Sequence, residues 1–294
     1  QDAQPGGTLR ILGTEDLDHF DPTSAALVTT NNFLRAVSRQ LISYEASTDE
    51  TVRITPKGDL ATEVPQPTDD GLTYTFKLRQ GAQWNAPSGA RQITSADLER
   101  GFKRMCNPAL GSAALTYYSS LVAGMAEFCD GFSKVEPTVE AMKAYIEGND
   151  ITGIETPDDE TVVIRLTQRA GDLIYMLSLA TSAPAPVEVL DYMPDGPDYR
   201  SNFIASGPYT PGAYTPDSSL QLVRNPAWTA DSDPLRKAYV DQIDITFGLT
   251  EAWTRQDDRA LRPCHPLIDA AAWHRLLAEA GLADIVTVAE LGGQ

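Results

Sequence analysis

Apolar and polar positions alternate in short segments of the chain. Leu72, Tyr74, Phe76 and Leu78 are separated by single polar residues, which predicts a strand with one buried face. Residues 8–13 predict a shorter strand that is ended by a glycine. The pattern therefore predicts strands that cover a core on one side.

Other apolar residues recur at helical spacing. One helix is predicted after Thr30 or Asn31, either of which can cap it. Its apolar face would consist of Phe33, Leu34, Val37 and Leu41. Thr94 predicts the start of a second helix with Asp97 at its third position, and residues 110–147 are predicted to be mainly helical. Because strands and helices mix without a regular βαβ repeat, the predicted fold class is α+β, that is, mixed α/β.

The charge and hydropathy of the chain exclude several partners. Its 294 residues carry 23 Lys and Arg against 41 Asp and Glu, a net charge of −18. Nucleic acids and anionic membranes attract basic surfaces, so no nucleic acid and no membrane surface is expected as a partner. No run of about eighteen apolar residues occurs, so no membrane-spanning helix is expected. The chain opens without an apolar leader, and we expect it to be either cytosolic or already processed.

Familiar catalytic motifs are absent from the sequence. It contains no nucleophile elbow, no zinc-protease motif, no phosphate-binding glycine loop and no dinucleotide fingerprint. His19 is the single histidine in the first 250 residues, which leaves little scope for histidine acid–base chemistry. We interpret the acidic segment 15–22 around it as a solvated turn rather than a metal site. The sequence therefore predicts a binding protein with no catalytic residue, no metal and no cofactor.

Aromatic and cysteine residues divide the chain into a body and a tail. All 11 Tyr and all 8 Phe lie in the first 250 residues, which fits either a chance fluctuation in a short segment or a different origin for the tail. Cys106 and Cys129 both lie in the body, and their spacing fits a disulfide and a pair of buried thiols equally well. Cys264 has no partner within the tail.

Seven motifs of the body follow one another in an order that is known from a protein family. They are Gly6-Gly7-Thr8-Leu9-Arg10, Asp21-Pro22, Asp59-Leu60-Ala61-Thr62, Asp70-Gly71-Leu72-Thr73-Tyr74-Thr75-Phe76-Lys77-Leu78-Arg79 with Gly81 and Trp84, Ile93-Thr94-Ser95-Ala96-Asp97-Leu98 with Arg104, Ser206-Gly207-Pro208-Tyr209 and Arg224-Asn225-Pro226-Ala227-Trp228. In this order and spacing, residues 6 to about 248 resemble the extracellular solute-binding proteins of peptide- and nickel-type ABC transporters (family 5).

The resemblance implies a fold, a location and partners. Residues 1–248 would form the first lobe of a type II periplasmic-binding-protein-like fold, with a smaller inserted subdomain at about 42–170. The protein would bind a peptide or similar small solute and deliver it to an ABC permease, without chemistry or a cofactor. It would be extracellular or at the cell surface, its signal peptide being absent from this chain. Cys106 and Cys129 resemble a pair in actinobacterial members, which implies a disulfide between them.

Ligand contacts of the first lobe are expected at two segments by the same resemblance. The first is the loop around Thr29, Thr30 and Asn31. The second is Ser182-Ala183-Pro184. The second lobe of the family would begin where the body ends, so we expect a truncated receptor in which closure on the ligand is impaired or lost.

The tail, residues 249–294, resembles a different family. Its motifs are Phe247-Gly248-Leu249-Thr250-Glu251-Ala252-Trp253, Leu261-Arg262-Pro263, His265-Pro266-Leu267-Ile268 and Trp273-His274-Arg275-Leu276-Leu277-Ala278-Glu279-Ala280-Gly281. These motifs, which begin at about residue 247, are similar to the carboxy-terminal end of the methyltransferase region in modular polyketide synthases. From the residues alone, Asp269 can cap a helix that Gly281 ends, and residues 285–288 predict a strand. The predicted apolar face of this helix consists of Trp273, Leu276, Leu277 and Ala280.

Two alternatives to a truncated receptor remain open at this point. In one, the chain is a non-catalytic scaffold or interaction protein, chimeric with a polyketide synthase fragment, and two copies can form a homodimer. In the other, it is an enzyme that uses the tail, which requires S-adenosylmethionine binding.

Overall fold

The structure, a computed structural model, describes residues 4–247 and 270–279. Within these residues the chain forms eleven strands and nine α-helices. The strands are β1 (Thr8–Leu12), β2 (Ile42–Tyr44), β3 (Pro56–Gly58), β4 (Thr73–Lys77), β5 (Gln83–Ala86), β6 (Gly89–Gln92), β7 (Ile154–Asp158), β8 (Thr161–Arg165), β9 (Tyr209–Thr215), β10 (Ser219–Arg224) and β11 (Gln242–Thr246). The helices are α1 (Val28–Val37), α2 (Glu50–Ile54), α3 (Ser95–Met105), α4 (Leu115–Leu121), α5 (Met125–Phe132), α6 (Val139–Gly148), α7 (Leu173–Met176), α8 (Pro197–Ser201) and α9 (Ala270–Glu279). The predicted mixed α/β class is confirmed.

Four strands from the two ends of the body form the largest sheet, in the order β1-β11-β10-β9. β1 runs parallel to β11, with Leu9 opposite Ile243 and Leu12 opposite Thr246. The remaining pairs of this sheet are antiparallel. Among the described residues β1 is an edge strand, and its five residues are all exposed.

The strands between β1 and β9 pair only with one another among the described residues. They form the pairs β2-β3 and β5-β6 and the three-stranded sheet β4-β8-β7. In β4 the buried Tyr74 and Phe76 alternate with the exposed Thr75 and Lys77, which confirms the pattern predicted for this segment. The predicted boundaries of the inserted subdomain, 42–170, stay a prediction.

The helix α3 begins where its capping residues predicted, with Thr94 as the residue before the helix and Asp97 at its third position. The backbone N–H of Thr94, the residue before the helix, donates to the carboxylate of Asp97 at 3.1 Å. The third helical residue thus supplies the hydrogen-bond acceptor that this N–H group needs. Asp97 is itself buried and also accepts from the indole of Trp84 at 2.9 Å. Residues 110–147 contain α4, α5 and α6, which confirms the helical prediction there.

The start of α1 was predicted wrongly. The helix begins at Val28 with Leu27 as its N-cap residue, which has no side chain able to accept a hydrogen bond. Thr30 does not cap because its hydroxyl oxygen accepts the backbone N–H of Asp18 at 3.1 Å. Asn31 donates its side-chain amide to the carbonyl of Leu27 from inside the helix. Both residues therefore contribute to the structure from within the first turn.

A disulfide joins Cys106, directly after α3, to Cys129 in α5. The disulfide that the family resemblance implied is confirmed. It closes a loop with a sequence separation of 23 and ties α3 to the helical segment that follows it.

The tail helix α9 confirms that a helix lies in this region. The predicted cap at Asp269, its end at Gly281 and the strand at 285–288 lie outside the described residues.

Candidate functional site

The β1–α1 loop, residues 13–27, leaves the sheet where the two parallel strands end. In sheets with parallel strands, loops at the carboxyl ends of the strands are favoured positions for ligands. The backbone N–H of Gly13 donates to the carbonyl of Thr246 at 2.8 Å, so the loop starts beside the end of β11. A Cβ atom at Gly13 would lie 3.2 Å from the ring of Phe247, so the close approach of the two segments favours glycine here.

The carboxylate of Asp18 organises the end of this loop. Its Oδ2 accepts the backbone N–H groups of Ala26 and Leu27, both at 3.0 Å. Burial would raise the pKa of Asp18, but the hydroxyl of Thr30 and these two N–H groups outweigh it and lower the pKa. An ionised Asp18 thus holds Ala26 and Leu27 in place directly before α1.

Two further carboxylates anchor the middle of the loop. Asp195 accepts the backbone N–H groups of Phe20 at 3.2 Å and Asp21 at 3.3 Å, and its other oxygen lies 2.5 Å from Nδ1 of His19. Asp21 is fully buried and pairs with Arg104 of α3. The interpretation of this acidic segment as a solvated turn was therefore wrong for Asp21, because a buried arginine replaces the solvent around it.

The exposed part of the site is the short apolar segment 26–28. Leu27 is 37% exposed and Val28 is 75% exposed, although both are large apolar residues. The backbone of Leu27 is extended, with φ −73° and ψ 148°. We therefore assign segment 26–28, presented by Asp18 at the carboxyl edge of the sheet, as the candidate ligand-binding surface.

The first predicted contact segment lies directly beside this surface. Thr30 is buried, and Thr29 and Asn31 are half-buried. The hydroxyl of Thr29 donates to Glu15 at 3.2 Å, and the side-chain amide of Asn31 donates to Leu27 at 2.9 Å. Their polar groups thus stabilise the loop, and their contact with a ligand stays a prediction. Sequence reasoning missed Leu27 and Val28. The signal that could have found them is that they are two adjacent apolar residues that precede the apolar face of α1 in the sequence.

The second predicted contact segment is buried. Ser182, Ala183 and Pro184 all lie in the interior. Ser182 is the last residue of a short 3-10 turn, Ala180–Ser182, that packs against α1. The hydroxyl of Ser182 donates to the carbonyl groups of Leu177 and Leu179. Ligand contact by this segment stays a prediction, and in this structure its observed contacts are internal.

The described part of the chain contains neither a cluster of metal-binding side chains nor a membrane-spanning helix. Within residues 4–247 and 270–279, no group of three or more His, Cys, Asp or Glu side chains could hold a metal ion. In the same residues, no helix combines the length and apolar character needed to cross a bilayer.

A family model matches most of the chain. It is that of the bacterial extracellular solute-binding proteins, family 5, and it matches residues 55–258. The chain belongs to this family. Its members are binding proteins rather than enzymes, in agreement with the lack of catalytic motifs. The match extends past residue 248, so the boundary between body and tail stays a prediction.

Curated relatives and solved structures agree with this assignment. The periplasmic oligopeptide-binding protein OppA of Haemophilus influenzae is 24% identical over 215 residues, which cover 73% of this chain and 35% of OppA. The oligopeptide-binding protein AliB of Streptococcus pneumoniae is 25% identical over 185 residues, 60% of this chain and 25% of AliB. This chain therefore spans about a third or less of these relatives.

The fold is that of the type II periplasmic-binding-protein class. The structure of clavulanic acid biosynthesis oligopeptide binding protein 2 matches 94% of this chain and 47% of its own, with 28% identity and a TM-score of 0.72. Listeria monocytogenes OppA bound to peptide matches 84% of this chain and 43% of its own, with 20% identity and a TM-score of 0.64. The predicted fold class is confirmed by both.

Proposed function

We propose that this protein is an extracellular solute-binding component of an ABC transporter and that its solute is a peptide. The family membership supports the transport role. The peptide is supported by relatives that are named as oligopeptide-binding proteins and by a relative whose structure holds a peptide. The ABC permease is the partner that this role requires.

The observation that carries the proposal is the exposed segment 26–28. The backbone N–H of Leu27 donates to Asp18 and its carbonyl accepts from Asn31, so the segment would contact a peptide through its side chains rather than through its backbone. Val28 and Leu27 give this segment an apolar surface that a peptide side chain can cover. Asp18 and Asp195 fix the loop before the ligand arrives, which reduces the entropy lost on binding.

Calorimetric titration of the 294-residue chain with a mixed-sequence peptide library tests this function. We expect saturable heat of binding, and competition by a single peptide that is isolated from the bound fraction. A chain that binds no peptide, while it remains folded by circular dichroism, would overturn the proposal.

A second candidate function is the non-catalytic scaffold or interaction protein. The exposed edge strand β1 favours it, because Leu9, Ile11 and Leu12 are 45%, 39% and 54% exposed. A homodimer is one arrangement that would cover this strand. Analytical ultracentrifugation distinguishes the candidates, since a stable dimer without peptide binding supports the scaffold. The similarity of residues 249–294 to a polyketide synthase fragment stays a prediction.

A further inference from the structure

A cavity of about 360 Å³ lies between α8 and the strand β9. It is separate from segment 26–28, although Phe20 of the β1–α1 loop forms part of its wall. Its lining residues are Phe20, Pro197, Arg200, Ser201, Phe203, Pro211, Gly212, Tyr214 and Pro216. We name it the proline-lined cavity. Its volume lies near the lower end of the range of about 300–1,000 Å³ that is usual for small-molecule sites.

Aromatic rings form a fixed wall of the proline-lined cavity. The ring of Phe20 contacts the ring of Tyr214 edge to face, with centroids 4.9 Å apart, and that of Phe203 with centroids 6.4 Å apart. The hydroxyl of Tyr214 donates to Asp16 at 2.8 Å, which fixes the orientation of this ring. Burial and this bond to Asp16 raise the pKa of Tyr214, so its hydroxyl stays neutral. Phe20 is buried behind this wall, so the half-buried rings of Phe203 and Tyr214 are the ones that a flat apolar group can contact.

Arg200 gives the proline-lined cavity a positive charge without a partner among the described residues. It lies in the last turn of α8 and is exposed. No described carboxylate lies within ion-pair distance of its guanidinium, although acidic residues exceed basic ones by 18 in the chain. Arg200 and Tyr214 line the same cavity. A planar guanidinium binds a carboxylate through two parallel hydrogen bonds.

We propose that the proline-lined cavity is a second binding site, which takes a small aromatic carboxylate. The aromatic wall covers the ring of the ligand, and Arg200 binds its carboxylate. The cavity volume suits a molecule of the size of a single aromatic amino acid. None of residues 26–28 lines it, so this site is distinct from the peptide surface at that segment.

Calorimetric titration of the 294-residue chain with N-acetyl-L-phenylalanine and with its neutral amide tests the proposal. The two probes share the ring and differ in the carboxylate. We expect the acid to bind at least about tenfold more tightly than the amide, since only the acid pairs with Arg200. Equal affinities, or no binding of the acid at millimolar concentration, would overturn the proposal.

Two variants and one control variant assign the binding to this cavity. Arg200→Gln should reduce the affinity for the acid to that of the amide, whereas Arg53→Gln, a change of an exposed arginine on α2, should leave it unchanged. Ser201→Tyr should abolish binding of both probes, because a ring at this exposed position would occupy the cavity. Circular dichroism confirms that each variant is folded. An unchanged affinity in Arg200→Gln would show that the acid binds elsewhere.

Discussion

The guanidinium of Arg104 in α3 and the carboxylate of Asp21 in the β1–α1 loop form a buried ion pair. Their side chains are 4% and 0% exposed, and Nη1 of Arg104 lies 3.2 Å from Oδ1 of Asp21. The guanidinium also lies over the ring of Tyr199, 5.6 Å from its centroid. This pair joins the loop that carries the candidate ligand-binding surface to the helix that the disulfide directly follows.

Loss of one partner of this pair should be strongly destabilising. Arg104→Met leaves the carboxylate of Asp21 buried without a counter-charge, so the free energy of unfolding should fall by about 3–5 kcal/mol. Urea unfolding at neutral pH measures this change. The control is Arg169→Met, which removes an exposed arginine paired with Asp70 and should cost less than about 1 kcal/mol. Similar losses in both variants would contradict the assigned importance of the buried pair.

Stability should fall in acid because of Asp59. This residue is fully buried and lies 2.8 Å from Arg39 and 2.8 Å from Arg236. Burial alone would raise the pKa of Asp59, but Arg236 and Arg39 outweigh it, so the pKa is lowered. A carboxyl group whose pKa is lower in the folded state stabilises the fold above its unfolded pKa of about 4, and this stabilisation is lost as the pH falls below that value.

Urea unfolding at a series of pH values checks this prediction. The wild-type free energy of unfolding should decrease from about pH 5 towards pH 2. The decrease should be smaller in Asp59→Asn, which is less stable at neutral pH because Arg39 and Arg236 lose their counter-charge. Asp70→Asn, at an exposed turn, should keep the wild-type decrease. An identical pH dependence in Asp59→Asn and the wild type would refute the assignment.

The close approach of α3 to the segment 182–184 should depend on Gly101. A Cβ atom at this position would lie 2.3 Å from the carbonyl oxygen of Ala183 and 3.3 Å from Cα of Pro184. Gly101→Ala must therefore displace backbone, and we expect a loss of about 1–3 kcal/mol in the free energy of unfolding. Gly148→Ala, at a helical position where no atom lies near the new Cβ, should be neutral or stabilising by up to about 1 kcal/mol. Thermal and urea unfolding of both variants measure the difference, and equal stabilities would argue against the packing described.

The disulfide between Cys106 and Cys129 should contribute measurably to stability. A loop of this length predicts a contribution of about 3 kcal/mol, because the bond restricts the unfolded chain. Reduction by dithiothreitol should lower the urea midpoint of the wild type. The double variant Cys106→Ser with Cys129→Ser should already have the lower midpoint and should not respond to the reductant. A wild-type midpoint that is the same with and without reductant would contradict the prediction.

Local patterns in the sequence predicted the elements whose causes are themselves local. The strand around Tyr74 and Phe76 follows from alternation, and the start of α3 follows from Thr94 and Asp97, which are three residues apart. The start of α1 was predicted wrongly because its determinant is distant. Thr30 is engaged by Asp18, twelve positions away, and is not free to cap.

Contacts between residues that are far apart in the sequence determine the geometry of the candidate site, and the sequence alone could not reveal these contacts. Asp21 was interpreted as solvated because nothing near it in the sequence shows that Arg104 will neutralise it. Segment 182–184 packs against Gly101, a contact between two elements that are far apart in the chain, and its contact with a ligand stays a prediction. The exposed pair Leu27 and Val28 became evident only when the position of the loop at the end of β1 was known.

The central claim is that segment 26–28 binds the peptide, and a matched pair of variants tests it most directly. Val28 and Ile54 are both exposed apolar residues on helices, at 75% and 62%, but only Val28 belongs to the candidate surface. The measurement is the calorimetric affinity of Val28→Asp, Ile54→Asp and the wild type for one peptide isolated from the library. We predict that Val28→Asp weakens binding by about tenfold or more, since a charge must be desolvated against the peptide, and that Ile54→Asp binds as the wild type does. Wild-type affinity in Val28→Asp would contradict the account.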